Sequence, residues 1–207
     1  MKDFWEDRYG KEDFAYGLEP NVFFEQTLKN QKLKGAILLP AEGEGRNAVF
    51  AAKMGLDVTC FDMSAQGKLK AMKLAALNKV NINYRVGELS EIAFEENSFD
   101  VIALIYAHFP ANLKTQYHKR IAKYLKKDGV LILEGFSKNQ LKINEENNQF
   151  FGPKSSNMLY AAEEIKKDFS ALEIVVLKEE VIELNEGIHH KGKASVIRFI
   201  GKRSLKE

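Results

Sequence analysis

Glu42-Gly43-Glu44-Gly45-Arg46-Asn47 is the segment of this chain with the clearest chemical potential. It follows an unbroken apolar run, Ala36-Ile37-Leu38-Leu39, and leads into a segment with helical pattern. Closely spaced glycines between a strand and a helix leave backbone N–H groups and the positive helix end open to a ligand. Asp62 ends the next apolar run, 19 residues after Gly43, where a carboxylate can accept hydrogen bonds from both hydroxyls of a ribose. Loop and acid together describe a nucleoside site. The loop also satisfies the permissive G-x-G-x-x-A pattern of dinucleotide binding, so charge must decide between cofactors. Glu42 and Glu44 would repel a pyrophosphate and attract a cation, which favours the sulfonium and ammonium groups of S-adenosylmethionine.

A second candidate is Tyr106-Ala107-His108-Phe109-Pro110, placed at the carboxyl end of the apolar run from Phe99 to Tyr106. Open α/β sheets bind ligands along that edge. His108 is the candidate general base, with a pKa class suited to removing a proton from a thiol or hydroxyl near neutral pH. The chain carries no G-x-S-x-G elbow, no H-E-x-x-H and no N-P-P-Y-type tetrapeptide after this run. His118 is expected on the surface of the following helix, and His189 and His190 in the final hairpin turn, a solvated turn rather than a metal site, from which the pair could approach the pocket mouth.

The elements that must position these residues alternate in type. A helix is predicted from Asn21 to Leu33, with Pro20 and Asn21 as stop and cap. Strands are predicted at Ala36 to Leu39, Asp57 to Phe61, Ile82 to Val86, Phe99 to Tyr106 and Gly129 to Phe136. Between them run a helix from Asn47 to Met54, one capped by Ser64 with Ala65, Leu69, Met72 and Ala76 facing the sheet, and one carrying Leu113, Tyr117, Ile121 and Tyr124. After a helix from Ala161 to Phe169, Leu172 to Leu184 and Ala194 to Ile200 alternate, and the short connector between them implies an antiparallel hairpin. The predicted fold is α/β: a doubly wound, Rossmann-like, mostly parallel seven-stranded sheet with a C-terminal antiparallel hairpin and helices on both faces. One domain is expected over residues 1–207, because no linker interrupts the pattern.

With 45% hydrophobic and 29% charged residues, the composition belongs to a globular chain able to bury a full core. The formal charge of +2 arises from mixed acids and bases, so neither nucleic acid nor a membrane surface is an expected partner. The start, MKDFWEDRYG, lacks an apolar signal region and no later run reaches the ~20 apolar residues of a membrane helix, so a cytoplasmic location is expected. Cys60 is single, which removes an internal disulfide and a cysteine metal cluster and leaves a core thiol.

Together these residues resemble a class I S-adenosylmethionine-dependent methyltransferase, and most closely the tellurite-resistance/thiopurine-methyltransferase-like group of small-molecule enzymes. The resemblance spans nearly the whole chain and is carried by "FWEDRYGKEDFAYGLEPNVFF", "AEGEGRNAVFAA", "VTCFDMSAQGKLKA", "YAHFP", "LKKDGVLILEGFS" and "EGIHHKGKASVIRFIGK". It implies that Gly43 and Gly45 let the backbone meet the cofactor while Arg46 and Asn47 open the next helix. Asp62 would take the ribose, Met63 would lie against the adenine, and Glu88 and Leu89 would meet the adenine amino group and face. Ile105 and Tyr106 would line the methionine side, next to the acceptor. The product would be S-adenosylhomocysteine, and the acceptor a small molecule, with thiols and similar soft nucleophiles favoured. The family's usual first-strand acid is Leu39 here and its first loop glycine is Ala41, with Pro40 between them. Glu42 is the expected replacement for that acid.

Trp5, Tyr9, Phe14 and Tyr16 are too many large rings for a solvated tail. They imply an arm that either packs on the sheet or closes over the cofactor, with Tyr16 near the sulfonium. The polar, irregular stretch from Asn139 to Leu159 is expected to shape the acceptor pocket. A monomer or homodimer is expected. Two other readings stay open at this level: a non-catalytic nucleoside-binding scaffold and a nicotinamide-dependent reductase.

Overall fold

A computed structural model describes residues 1–204. Its elements are α1 (Lys2–Tyr9), α2 (Val22–Asn30), β1 (Ala36–Pro40), α3 (Arg46–Lys53), β2 (Asp57–Asp62), α4 (Ala65–Leu77), β3 (Asn83–Val86) and β4 (Phe99–Ile105). There follow α5 (Lys114–Tyr124), β5 (Leu125–Phe136), α6 (Gln140–Glu146), a 3-10 turn (Ser156–Met158), α7 (Ala162–Asp168), β6 (Glu173–Glu186) and β7 (His190–Lys202). The strands form one seven-stranded sheet in the order β3-β2-β1-β4-β5-β7-β6. Every pairing is parallel except those of β7, which runs antiparallel to both β5 and β6.

β1 lies in the middle of this sheet, and its side chains divide strictly by parity. Ile37 and Leu39 join the core under α2, α3 and α4, whereas Leu38 joins the core on the opposite face with Ile102, Leu104 and Phe199. All three β1 side chains are fully buried, each contributing roughly 2 kcal/mol through burial of apolar surface. Leu39 therefore points into the core rather than toward a ligand. A third, smaller core of Phe136, Phe151, Leu159 and Leu184 sits where β5 meets the C-terminal hairpin.

Several expectations are corrected. The buried face of α4 is Gly67, Ala71, Leu74 and Ala75, while Leu69 is 63% and Met72 is 40% exposed. The periodic large residues thus lie outside, because α4 approaches the glycine loop at backbone distance. A Cβ on Gly45 would stand 2.5 Å from the Ala71 Cβ, and one on Gly67 would stand 3.0 Å from the Gly43 carbonyl oxygen. The stretch after Asn139 is not wholly irregular, since α6 and the 3-10 turn fall within it. β6 and β7 extend past the predicted runs and leave only residues 187–189 as connector, with Gly187 at φ 61°. His118, expected at the surface, is fully buried and bonds Asp168 through Nδ1 at 2.7 Å.

The Gly45 contact makes a direct test. Gly45 has φ 87°, and in Gly45→Ala an L side chain would combine left-handed strain with collision against Ala71. We expect a loss of about 2–4 kcal/mol in urea unfolding, whereas Gly55→Ala, at φ 86° with no atom within 4 Å, should lose only the backbone component, about 1 kcal/mol.

Candidate active site

The carboxyl ends of β1, β2, β4 and β5 open into one cavity of about 1380 Å³. One side is lined by Ala41, Glu42, Asp62, Met63, Glu88 and Leu89, and the other by Phe109, Tyr117, Phe136, Phe151 and Met158, with Ile105, Tyr106 and His190 also at its wall. Helix α1 and the residues after it cover the first side with Trp5, Arg8, Tyr9 and Tyr16. The stretch between β5 and α7 walls the second.

The glycine loop does not meet the cavity as its motif suggests. Gly43 and Gly45 are absent from the wall, whereas Glu42, Glu44, Arg46 and Asn47 line it. The glycines admit close neighbours: a Cβ on Gly43 would meet the hydroxyl of Tyr9, itself a lining residue, at 2.6 Å, and Gly45 backs onto Ala71 of α4. The Tyr84 hydroxyl donates to the Gly43 carbonyl at 2.6 Å and holds the loop from below. Ala41, where the family that the sequence resembles carries a glycine, has φ 54°.

Each acid of the loop has found a different partner. Glu44 is paired with Lys70 at 2.8 Å and accepts the Ala15 N–H at 2.8 Å, so its charge fastens the arm and is already neutralised. Of the two glutamates invoked for charge selection, only Glu42 has no lysine or arginine within ion-pair distance among the described residues. Its Oε1 accepts the Ala48 N–H at 2.7 Å, completing the start of α3, where Gly45 offers no side-chain cap. Burial pushes the Glu42 carboxyl up to about 7, against the pull of that N–H and of Arg46. Asp62 accepts N–H groups from Gly43 at 3.1 Å and Ser64 at 2.9 Å, one on each oxygen. Burial raises it to about 6, again partly offset by those bonds. Each Asp62 oxygen keeps a lone pair for a ribose hydroxyl.

Arg46 turns away from the loop to Glu186 at 2.8 Å and to the carbonyls of Tyr16 and Glu19. Asn47 accepts the Asn21 N–H at 2.9 Å. Both lock α3 to the arm and the hairpin. Tyr16 packs its ring 4.4 Å from His190 and receives Arg8 on its hydroxyl. Glu6 reaches the start of α4, accepting from Ser64, Ala65 and Gln66, so α1 is hooked to α4 rather than laid on the sheet.

His108 lines the cavity but both ring nitrogens are engaged. Nδ1–H donates to the Met158 carbonyl at 3.0 Å, and Nε2 accepts the Phe136 N–H at 3.2 Å. Burial lowers its pKa to about 4 despite the Met158 bond. With no lone pair free, His108 is a brace between β5 and the 3-10 turn, which corrects its reading as a base. Tyr106 has φ 52°, strained for a residue of its size, and donates its hydroxyl to Glu134 Oε1 at 3.1 Å. Burial and the neighbouring Glu134 raise its pKa well above the ordinary value, so it stays a neutral donor.

The sequence reading allowed the His189–His190 turn to approach the pocket mouth but did not name His190 as a site residue. The hairpin brings it to the cavity wall, 6% exposed, with Nδ1–H donating to Glu186 Oε2 at 3.2 Å. His118 Nε2 is the one fully buried side-chain nitrogen or oxygen without a partner among the described residues, so the unpartnered Nε2 of His190 keeps an accessible face. Burial holds the His190 pKa below 6.5 although Glu186 opposes this. Glu186 is held down at about 2, since His190 and Arg46 outweigh its burial. A neutral imidazole, oriented by a carboxylate and open at Nε2, is the arrangement of a general base. The only signal in the sequence was the doubled histidine itself, in a turn.

Residues 37–129 match the family model of a methyltransferase domain. No curated protein matches the sequence. TehB from Haemophilus influenzae superposes with a TM-score of 0.70 at 15% identity, over 98% of this chain and 67% of TehB. A SAM-dependent methyltransferase from Methanosarcina mazei gives 0.70 at 17% identity, over 91% of this chain and 100% of its own. The protein of a study on conversion of a disulfide bond into a thioacetal group during echinomycin biosynthesis gives 0.75 at 16% identity, over 100% and 94%. No helix among the described residues is long and apolar enough to cross a membrane. The sheet order and the match over residues 37–129 converge: the chain has the Rossmann-like fold of S-adenosylmethionine-dependent methyltransferases, and over residues 37–129 it is similar to a methyltransferase domain, an enzyme whose cofactor is S-adenosylmethionine.

Proposed function

We propose that this enzyme methylates a small, largely apolar acceptor through a soft nucleophile, a thiol above all, with His190 Nε2 receiving the acceptor's proton. The observation that carries this reading is the single cavity of about 1380 Å³, polar and acidic on the Asp62 side and aromatic on the Phe136 side. Ligand sites of drug-like size occupy roughly 300–1,000 Å³, so one nucleoside cofactor leaves room for a second molecule beside it.

The residues fit the cofactor. Asp62 offers both oxygens to a ribose, Met63 and Leu89 offer apolar faces to an adenine, and Glu88 offers a carboxylate to its amino group. Glu42, with Ile105 beyond it, faces the end where ammonium and sulfonium would lie, and Tyr16 covers that end with its ring. Gly45 supports the site by allowing α4 to close behind the loop, and Gly43 by allowing Tyr9 to pack against it. When bound, S-adenosylmethionine supplies an electrophilic methyl group on a positive sulfur.

On the acceptor side, Phe109, Tyr117, Phe136, Phe151 and Met158 exclude water and align the nucleophile by shape. Nε2 of His190 takes the thiol proton, and Glu186 stabilises the imidazolium that results. Asp62, Met63, Glu88 and Leu89 would hold S-adenosylmethionine so that its methyl group faces the acceptor half, where it would be available to an in-line nucleophile. Tyr106, held by Glu134, fixes the wall between the two halves.

Two outcomes test this reading. His190→Asn should lower kcat for a thiol acceptor about a hundredfold, the usual scale for loss of a general base, and remove the acidic limb of its pH profile. Unchanged turnover in a labelled-methyl assay would exclude His190. Glu42→Gln should weaken S-adenosylmethionine binding about tenfold, or ~1.4 kcal/mol, at pH 7.5 in calorimetry. An equal affinity would remove Glu42 from the cofactor site. The pH signs are opposite for fold and ligand. A carboxyl raised from 4.5 to about 7 makes the free protein less stable as pH climbs through that window, because the native state holds the proton longer. Binding of the cationic cofactor should strengthen over the same window as Glu42 ionises, and Glu42→Gln should flatten both trends.

A further inference from the structure

Asn21, the N-cap of α2, is 2% exposed and uses every polar group it has. Oδ1 accepts the Phe24 N–H at 3.0 Å, the carbonyl accepts the Glu25 N–H at 2.9 Å, and the backbone N–H donates to Asn47 at 2.9 Å. A cap needs no more than the side-chain oxygen, and aspartate or serine would serve as well. The side-chain amide does something else. Nδ2 lies 2.6 Å from Glu134 Oε1 and 3.3 Å from Glu186 Oε1.

Those two carboxylates come from different strands, β5 and β6, and each already has an arginine on its Oε2. Arg198 stands 2.5 Å from Glu134, and Arg46 stands 2.8 Å from Glu186. Each also holds one ring of the cavity wall, Tyr106 on Glu134 and His190 on Glu186. The two rings lie 4.8 Å apart, edge to face. One amide therefore joins the supports of both. Two carboxylates brought together in a low-dielectric site repel unless donors lie between them, and an NH2 group with one hydrogen for each is such a donor.

We propose that Asn21 is a positioning residue whose amide couples the Glu134–Tyr106 pair to the Glu186–His190 pair, setting the orientation of both rings and the proton affinity of His190. Its consequence for turnover rests on the reading of His190 as proton acceptor, whereas the coupling itself does not. His190 is faced by Glu186 from β6, Arg46 from α3, Arg8 from α1, Tyr16 from the arm, Tyr106 after β4 and His108 beyond it. Asn21→Asp keeps the cap, removes the amide donor and puts a third carboxylate beside Glu186.

The test follows the His190 imidazole by NMR titration in the full-length protein, its resonance assigned with His190→Asn, in parallel with thiol methylation across pH. Asn21→Asp should raise the His190 pKa by about one unit, move the acidic limb of kcat by the same amount, and lower kcat about tenfold at pH 7. Affinity for S-adenosylhomocysteine should stay within about twofold, because no cofactor contact is removed. Asn21→Ser, which keeps a capping hydroxyl and adds no charge, should lower kcat with a smaller titration shift and secures the test if the aspartate variant folds poorly. A His190 titration unmoved in both folded variants would overturn the coupling. A shifted titration without any methyl transfer to thiols would uphold the coupling and overturn the acceptor reading instead.

Discussion

Carboxylates buried at one end of a sheet must each be met by donors, because an unpaired charge there costs several kcal/mol. Glu42, Asp62, Glu134 and Glu186 gather at the carboxyl edge of this sheet, and their donors come from almost every part of the chain. The α3 N-terminus serves Glu42, and the loop together with Ser64 serves Asp62. Asn21, Tyr106 and Arg198 serve Glu134, while Arg46, His190 and Asn21 serve Glu186. The arm, the glycine loop and the hairpin tip are held in their places by this requirement. The cavity is what remains between them.

Close backbone approach is the second constraint and explains the glycines. The missing side chains of Gly43 and Gly45 admit Tyr9 from the arm and Ala71 from α4 against the loop. That approach also reverses the face of α4: only small residues fit against the loop, so Leu69 and Met72 are turned outward. The arm gains its position from the same contact, with Tyr9 against the loop and Glu6 on the first turn of α4. An arm fastened this way is continuous with the glycine loop.

The hairpin gives the fold its asymmetry. β7 inserts antiparallel between β5 and β6, and the turn that follows β6 is carried back over the strand ends. Backbone N–H groups of Ile188 and His189 donate to the Ala15 carbonyl, tying the turn to the arm. His190 is thereby set beside Tyr16 and Tyr106, between the covering arm and the end of β4. A dinucleotide-binding sheet completed by parallel units would have no such turn at this edge.

What was legible in the sequence was whatever leaves a periodic or local trace. Unbroken apolar runs marked the buried strands, the alternating runs after Leu172 marked the hairpin, and the glycine loop with Asp62 marked the strand ends at which the cavity opens. These signals arise within one element or across one turn, where spacing translates directly into geometry. The occupancy of His108, the exposure of α4's large residues and the burial of His118 were decided by what lies opposite them in space. The same holds for the links from Asn21 to Glu134 and Glu186, which span 113 and 165 residues. No periodicity records a contact between a helix cap and strands so far along the chain. Residue types nominated the site, and only tertiary packing decided which nitrogen kept a free lone pair.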